Sequence, residues 1–103
     1  MFTAFEHDEL YDRALAVYGE RNQIIVAVEE LSELQKELCK YLRGEDVGEK
    51  LAEEMADVTI MLEQLVGIFG NDKRMLQFKC NKKARLWIRV LEKERKKNVH
   101  RDN

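Results

Sequence analysis

There is no proline anywhere in these 103 residues, and there are only five glycines. Proline ends or kinks a helix because it removes an N–H and its ring clashes with the carbonyl one turn back. Without it, glycines, polar caps and short turns must set every boundary. The rest of the chain is dense in Leu, Glu, Lys, Ala and Met, which are strong helix formers. The fold class that follows is all-α.

The punctuation divides the chain into four helices. Thr3 or Asp8 caps a first helix that ends near Tyr18-Gly19. A second runs from about Asn22 to Arg43 and stops at Gly44. After the turn Gly44-Glu45-Asp46-Val47-Gly48, Asp46 caps a third helix reaching about Phe69. Gly70-Asn71-Asp72 ends that helix and caps a fourth, which runs to about Lys97 and leaves Val99-His100-Arg101-Asp102-Asn103 as a frayed tail (with Asn98 between them). The length fits one domain, residues 1–103. Loops this short join antiparallel neighbours, so the expected protomer is four-helix bundle-like.

Ile24, Ala27, Leu31, Leu34, Leu38, Tyr41 and Leu42 trace an apolar stripe on the second helix. The third differs. From Met55 to Phe69 its only charges are Asp57 and Glu63, with apolar residues on nearly every side. A helix apolar all round is a buried one, and a chain this small has difficulty covering it alone. A homo-oligomer, dimer or tetramer, is expected, with the third helix at or near the interface.

Several function classes drop out. An apolar content of 45% supports a core and argues against disorder. No stretch approaches the roughly 20 apolar residues of a membrane span. The start, MFTAFEHDELYDR, is acidic and unlike a secretory signal. A soluble, cytoplasmic protein is expected. Cys39 and Cys80 lack Cys or His partners at zinc spacing and read as core thiols. His7 and His100, in charged sequence near opposite ends, read as surface residues. Gly44 and Gly48 lead to no phosphate-loop Lys-Ser/Thr, and Ser32, the sole serine, sits in a helical pattern with no nucleophile elbow.

The charge is segregated. Residues 1–72 hold 6 Lys/Arg and 17 Asp/Glu, a net of −11, whereas residues 73–103 hold 12 and 3, a net of +9. Within the acidic part, Glu30/Glu33 and Glu54/Asp57 are acidic pairs spaced i, i+3 on consecutive helices. Each pair shares a helix face and repels itself unless a cation lies between. Antiparallel packing of the two helices would bring the pairs together as an oxygen-rich site suited to Mg²⁺ or Mn²⁺. The competing reading is a solvated helix surface. Two features oppose it: Glu30 and Glu54 border apolar stripes, and Asp57 is a mediocre helix former placed mid-helix beside Ile60 and Met61.

Glu29-Glu30-Leu31-Ser32-Glu33, followed after 20 residues by Glu54-Met55-Ala56-Asp57, resembles the EExxE…ExxD signature of the MazG-like, all-α NTP pyrophosphatases. Flanking Ile25–Val28, Leu34–Leu38 and Val58–Leu62 agree, and the resemblance covers about residues 22–89. It implies Glu30, Glu33, Glu54 and Asp57 as Mg²⁺ ligands, with Glu29 and Glu53 supporting them. It further implies cleavage of nucleoside triphosphates between the α- and β-phosphates. A relative acting on phosphoribosyl-ATP is a neighbouring possibility. This chain departs from the family in having Met55-Ala56 where many members have Leu-Gly. It matches the family's later basic element only loosely, over Phe78–Arg85.

In the resulting mechanism Glu29, Glu30 or Glu33 orients or deprotonates the attacking water. Lys79, Lys82, Lys83 and Arg85 on the basic fourth helix are the expected triphosphate contacts, with Lys79 and Lys83 beside an apolar stripe of Leu76, Trp87 and Leu91. Trp87, Phe78 and Tyr18 have the shape to stack on a base, but core packing is their commoner use. The alternative function is a non-catalytic oligomeric helical interaction or nucleic-acid-binding module, since a basic stripe suits phosphodiester backbones. The −11 body and the lack of a reading motif argue against nucleic acid.

Overall fold

The computed structural model describes the backbone of residues 8–102 and the side chains of residues 8–98. Thr3, His7 and the side chain of His100 lie outside these described residues. The described chain is all-α: α1 is Glu9–Tyr18, α2 Glu20–Leu42, α3 Gly48–Phe69 and α4 Asp72–Asp102. It falls into two compact units that divide between Gly70 and Asn71.

Each boundary has a local cause. Asp8 sits in extended geometry at φ −121° and its Oδ1 accepts from the Leu10 N–H at 2.9 Å, capping α1. Glu9 and Asp12 place negative charge in the first turn, where the helix dipole favours it. Gly19, at φ 86°, both stops α1 and precedes α2, a conformation that side chains with a Cβ rarely adopt. The Asn22 amide donates to the Tyr18 carbonyl at 2.8 Å, covering one of the acceptors that α1 leaves open.

The end of α2 is a Schellman turn. Gly44, at φ 86°, donates to Tyr41 O at 2.9 Å, and Glu45 N donates to Lys40 O at 3.1 Å. α3 begins after Val47 instead of Asp46, although Asp46 Oδ1 still accepts weakly from Gly48 N at 3.5 Å. Gly70, left-handed at φ 60°, ends it. α4 continues to Asp102, five residues past the expected stop near Lys97. With no proline or glycine after Gly70, nothing local interrupts it.

α2 and α3 form an antiparallel hairpin, and α1 packs on both. A run of their buried and half-buried positions steps alternately by four and three: Gln23, Ala27, Glu30, Leu34 and Glu37 on α2, and Val47, Leu51, Glu54, Val58, Met61 and Leu65 from the turn before α3 onward. A 3.5-residue step keeps one seam turned toward a partner helix. The apolar part of that core is small, with only Ala27, Val47, Val58 and Met61 buried among the described hydrophobic residues.

The seam corrects the sequence expectation for α2. Ala27 is buried and Ile24 and Leu34 half-buried, but Leu31, Leu38, Tyr41 and Leu42 are exposed, Leu42 by 82%. The face turned inward carries Gln23 and Glu37, both buried, in their place. α3 is likewise covered on one face only, since Met55, Ile60 and Leu62 are exposed. Cys39 and Cys80 are exposed thiols, not core ones. Cys39 lies two residues beyond the seam position Glu37, where the helix has turned it outward. Tyr18, Phe78 and Trp87 are also exposed, against the expectation of core packing. Among the described residues no helix is long and apolar enough to cross a membrane.

Candidate metal centre

Three glutamates occupy seam positions that an ordinary helix pair fills with aliphatic residues: Glu30 half-buried, Glu37 and Glu54 buried. Burying a carboxylate is costly unless it is paired or coordinated. Glu37 is paired, its Oε1 accepting from Lys40 Nζ at 3.3 Å. Glu54 is half-satisfied. Its Oε1 accepts from Lys50 Nζ at 3.0 Å, while its buried Oε2 has no hydrogen-bond partner.

Glu30 of α2 and Glu54 and Asp57 of α3 each direct one carboxylate oxygen so that the three lie within 4.8 Å of one another. The consequence for Glu30 is electrostatic. Burial pushes its carboxyl above the ordinary value, and the charges of Asp57 and Glu54 push the same way. The Lys50 ammonium is raised in turn by its hydrogen bond to Glu54 and that residue's charge, with smaller contributions from Glu53 and Glu37.

Of the four acids expected as ligands, Glu30, Glu54 and Asp57 come together, whereas Glu33 is exposed and outside the cluster. Antiparallel geometry gives the reason. With Glu30 and Glu54 at one level, the three-residue step to Asp57 and the step to Glu33 run in opposite directions, separating them by about 9 Å along the axes. Glu29 and Glu53 are exposed beside the cluster residues. Lys50 and Glu37 are additions from the structure. The i, i+4 spacing of Lys50 and Glu54 and the seven-residue step from Glu30 to Glu37 are their traces in the sequence.

The donor set suits a hard divalent cation. Three carboxylates offer oxygen only, the preference of Mg²⁺ and Mn²⁺. In an octahedron with bonds of about 2.1 Å, ligand oxygens lie about 3.0 to 4.2 Å apart. Three oxygens already within 4.8 Å need little contraction to reach that range. The orphaned Glu54 Oε2 has an acceptor's need that such an ion meets.

In the second unit, α4 presents a groove lined by Met75, Phe78, Lys79, Lys82, Lys83, Leu86 and Arg89. Lys79 is half-buried, and Lys82, Lys83 and Arg85 are exposed. Lys79 and Lys83 thus border Met75, Phe78 and Leu86, and Lys83 also lines a second groove with Leu86, Trp87 and Val90. Arg74 lies over the Phe78 ring at 5.9 Å, at the outer limit of a cation–π contact. Comparison with protein-family models, curated proteins and solved structures finds no match for the chain.

Proposed function

We propose that this protein is a Mg²⁺-dependent nucleoside triphosphate pyrophosphohydrolase of the MazG-like kind, cleaving (d)NTPs to (d)NMP and pyrophosphate. The observation that carries the reading is the convergence of Glu30, Glu54 and Asp57 within 4.8 Å across two helices, one of them with a buried, unpartnered oxygen. A buried, unpartnered carboxylate oxygen is not expected of a solvated helix surface. The motif resemblance supplies the reaction class.

Glu30, Glu54 and Asp57 would hold the ion, and Mn²⁺ would satisfy the same donors. When bound, the ion supplies Lewis acidity toward the α-phosphate and lowers the pKa of a water. The remaining work falls to side chains. Glu29 and Glu33, exposed one turn apart on the same flank of Glu30, orient the attacking water, and Glu29, Glu30 or Glu33 takes its proton. The water oxygen bonds to the α-phosphorus, the bond from that phosphorus to the bridging oxygen breaks, and pyrophosphate leaves with the electron pair. Lys79, Lys82, Lys83 and Arg85 are the proposed phosphate contacts, on the strength of their charge.

The exposed apolar side chains Met55, Ile60 and Leu62 on α3 support a homo-oligomer as the working form. They equally favour the second reading, a helical interaction module without catalysis. Incubation with Mg²⁺ and a panel of NTPs and dNTPs separates the two. The enzyme reading predicts monophosphate and pyrophosphate as products and a loss of at least ~100-fold in rate in Glu54→Gln or Asp57→Asn. Release of orthophosphate, or turnover unaffected by both substitutions, contradicts it.

A further inference from the structure

We propose that Lys50 is the selectivity residue of the carboxylate centre, an internal counter-cation that a divalent ion displaces and a monovalent ion does not. The inference rests on the reading of Glu30, Glu54 and Asp57 as cation ligands.

The Lys50–Glu54 pair is lopsided. The Glu54 side chain is 5% exposed and the Lys50 side chain 55%, with Nζ and Oε1 3.0 Å apart. The carboxylate is therefore fixed in the seam, whereas the ammonium reaches it from solvent on a flexible four-carbon stem. Swinging that stem away returns a strongly hydrated group to water and leaves Glu54 open on Oε1 as well as Oε2. Glu37, the neighbouring buried acid, has its own cation in Lys40 at 3.3 Å and does not depend on Lys50.

Charge decides what can replace Lys50. The Lys50 ammonium offsets the charge of Glu54 alone, whereas a divalent ion among Glu30, Glu54 and Asp57 meets two further carboxylates as well. Coulomb attraction scales with ion charge, so Mg²⁺ or Mn²⁺ gains roughly twice the energy of the group it evicts. Na⁺ or K⁺ exchanges one unit charge for another. It must also compete with an ammonium tethered to the same helix, whose effective concentration is of millimolar order or higher. Without Lys50, Glu54 Oε1 loses its counter-charge, and the commonest cation in the medium enters.

The test is Mn²⁺ titration, without nucleotide, of the native chain, Lys50→Gln and Lys50→Arg, reading free Mn²⁺ by electron paramagnetic resonance. Ionic strength is held constant with either choline chloride or KCl. In choline, Lys50→Gln is expected to bind Mn²⁺ at least about fivefold more tightly than native. Exchange of choline for K⁺ weakens that variant severalfold and leaves the native chain and Lys50→Arg unchanged. Native or weaker affinity in Lys50→Gln, or equal K⁺ sensitivity in all three, overturns the role of Lys50 while leaving the metal centre standing. Absence of Mn²⁺ uptake in all three overturns the metal centre together with it.

Discussion

At Glu30, burial and two neighbouring carboxylates act in the same direction, and all of them oppose the ionised form. The cluster therefore costs the metal-free fold stability that a cation would restore. Glu30→Gln removes one charge and places an amide donor within reach of Glu54 and Asp57. Urea titration without metal is expected to find this variant more stable than native by about 1 kcal/mol, with a smaller further gain on adding Mg²⁺. A destabilised variant with an undiminished Mg²⁺ response contradicts the reading. Tyr11 provides a pH test away from the cluster. Its hydroxyl donates to Glu63 Oε2 at 2.6 Å, and burial, that hydrogen bond and the Glu63 charge push its pKa to about 12. A raised pKa means that the folded state holds the proton longer. The stabilisation is complete below the unfolded value of 10.0 and is lost as pH rises toward 12. The stability difference between native and Tyr11→Phe, measured by urea titration from pH ~9 to ~12, should shrink across that window. A constant difference would show that the hydroxyl does not titrate as a buried partner of Glu63.

The helix boundaries were legible because each rests on short-range chemistry: Asp8 as a cap, Gly19 and Gly70 as stops, Gly44 at the Schellman turn. The facing of the helices was less so. Hydrophobicity alone placed Leu31, Leu38 and Leu42 inward, yet the seam runs through Glu30, Leu34 and Glu37. A stripe of leucines and a stripe of buried glutamates lie on adjacent faces of α2, and a sequence pattern weighs the first. The same misreading hid the depth of Glu54, which borders an apolar stripe in sequence and sits in the seam of the fold. Glu33 lies outside the cluster, because i, i+3 spacing places acids on one face without giving the direction in which the opposite helix runs. The outer faces of α2 and α3, with Val28, Leu31, Met55 and Leu62 exposed, remain the basis for an oligomer. Sedimentation equilibrium is expected to return twice or four times the chain mass, and a monomer at micromolar concentration excludes it.

Over the whole molecule, the split between a −11 segment and a +9 segment acquires a chemical meaning only through the centre between α2 and α3. Three of the seventeen acids converge, one is left with an unpartnered oxygen, and Lys50 pairs with the other oxygen of that same residue. Under the proposed function a bound cation would let this centre meet polyanions that the acidic segment alone repels. Attack at the α-phosphorus is the central claim, and the fate of the water oxygen tests it most directly. Hydrolysis in ¹⁸O-labelled water with Mg²⁺, followed by mass spectrometry of the products, should place one ¹⁸O in the nucleoside monophosphate and none in pyrophosphate. Label in pyrophosphate or orthophosphate, or no hydrolysis of any nucleoside triphosphate, would contradict the account.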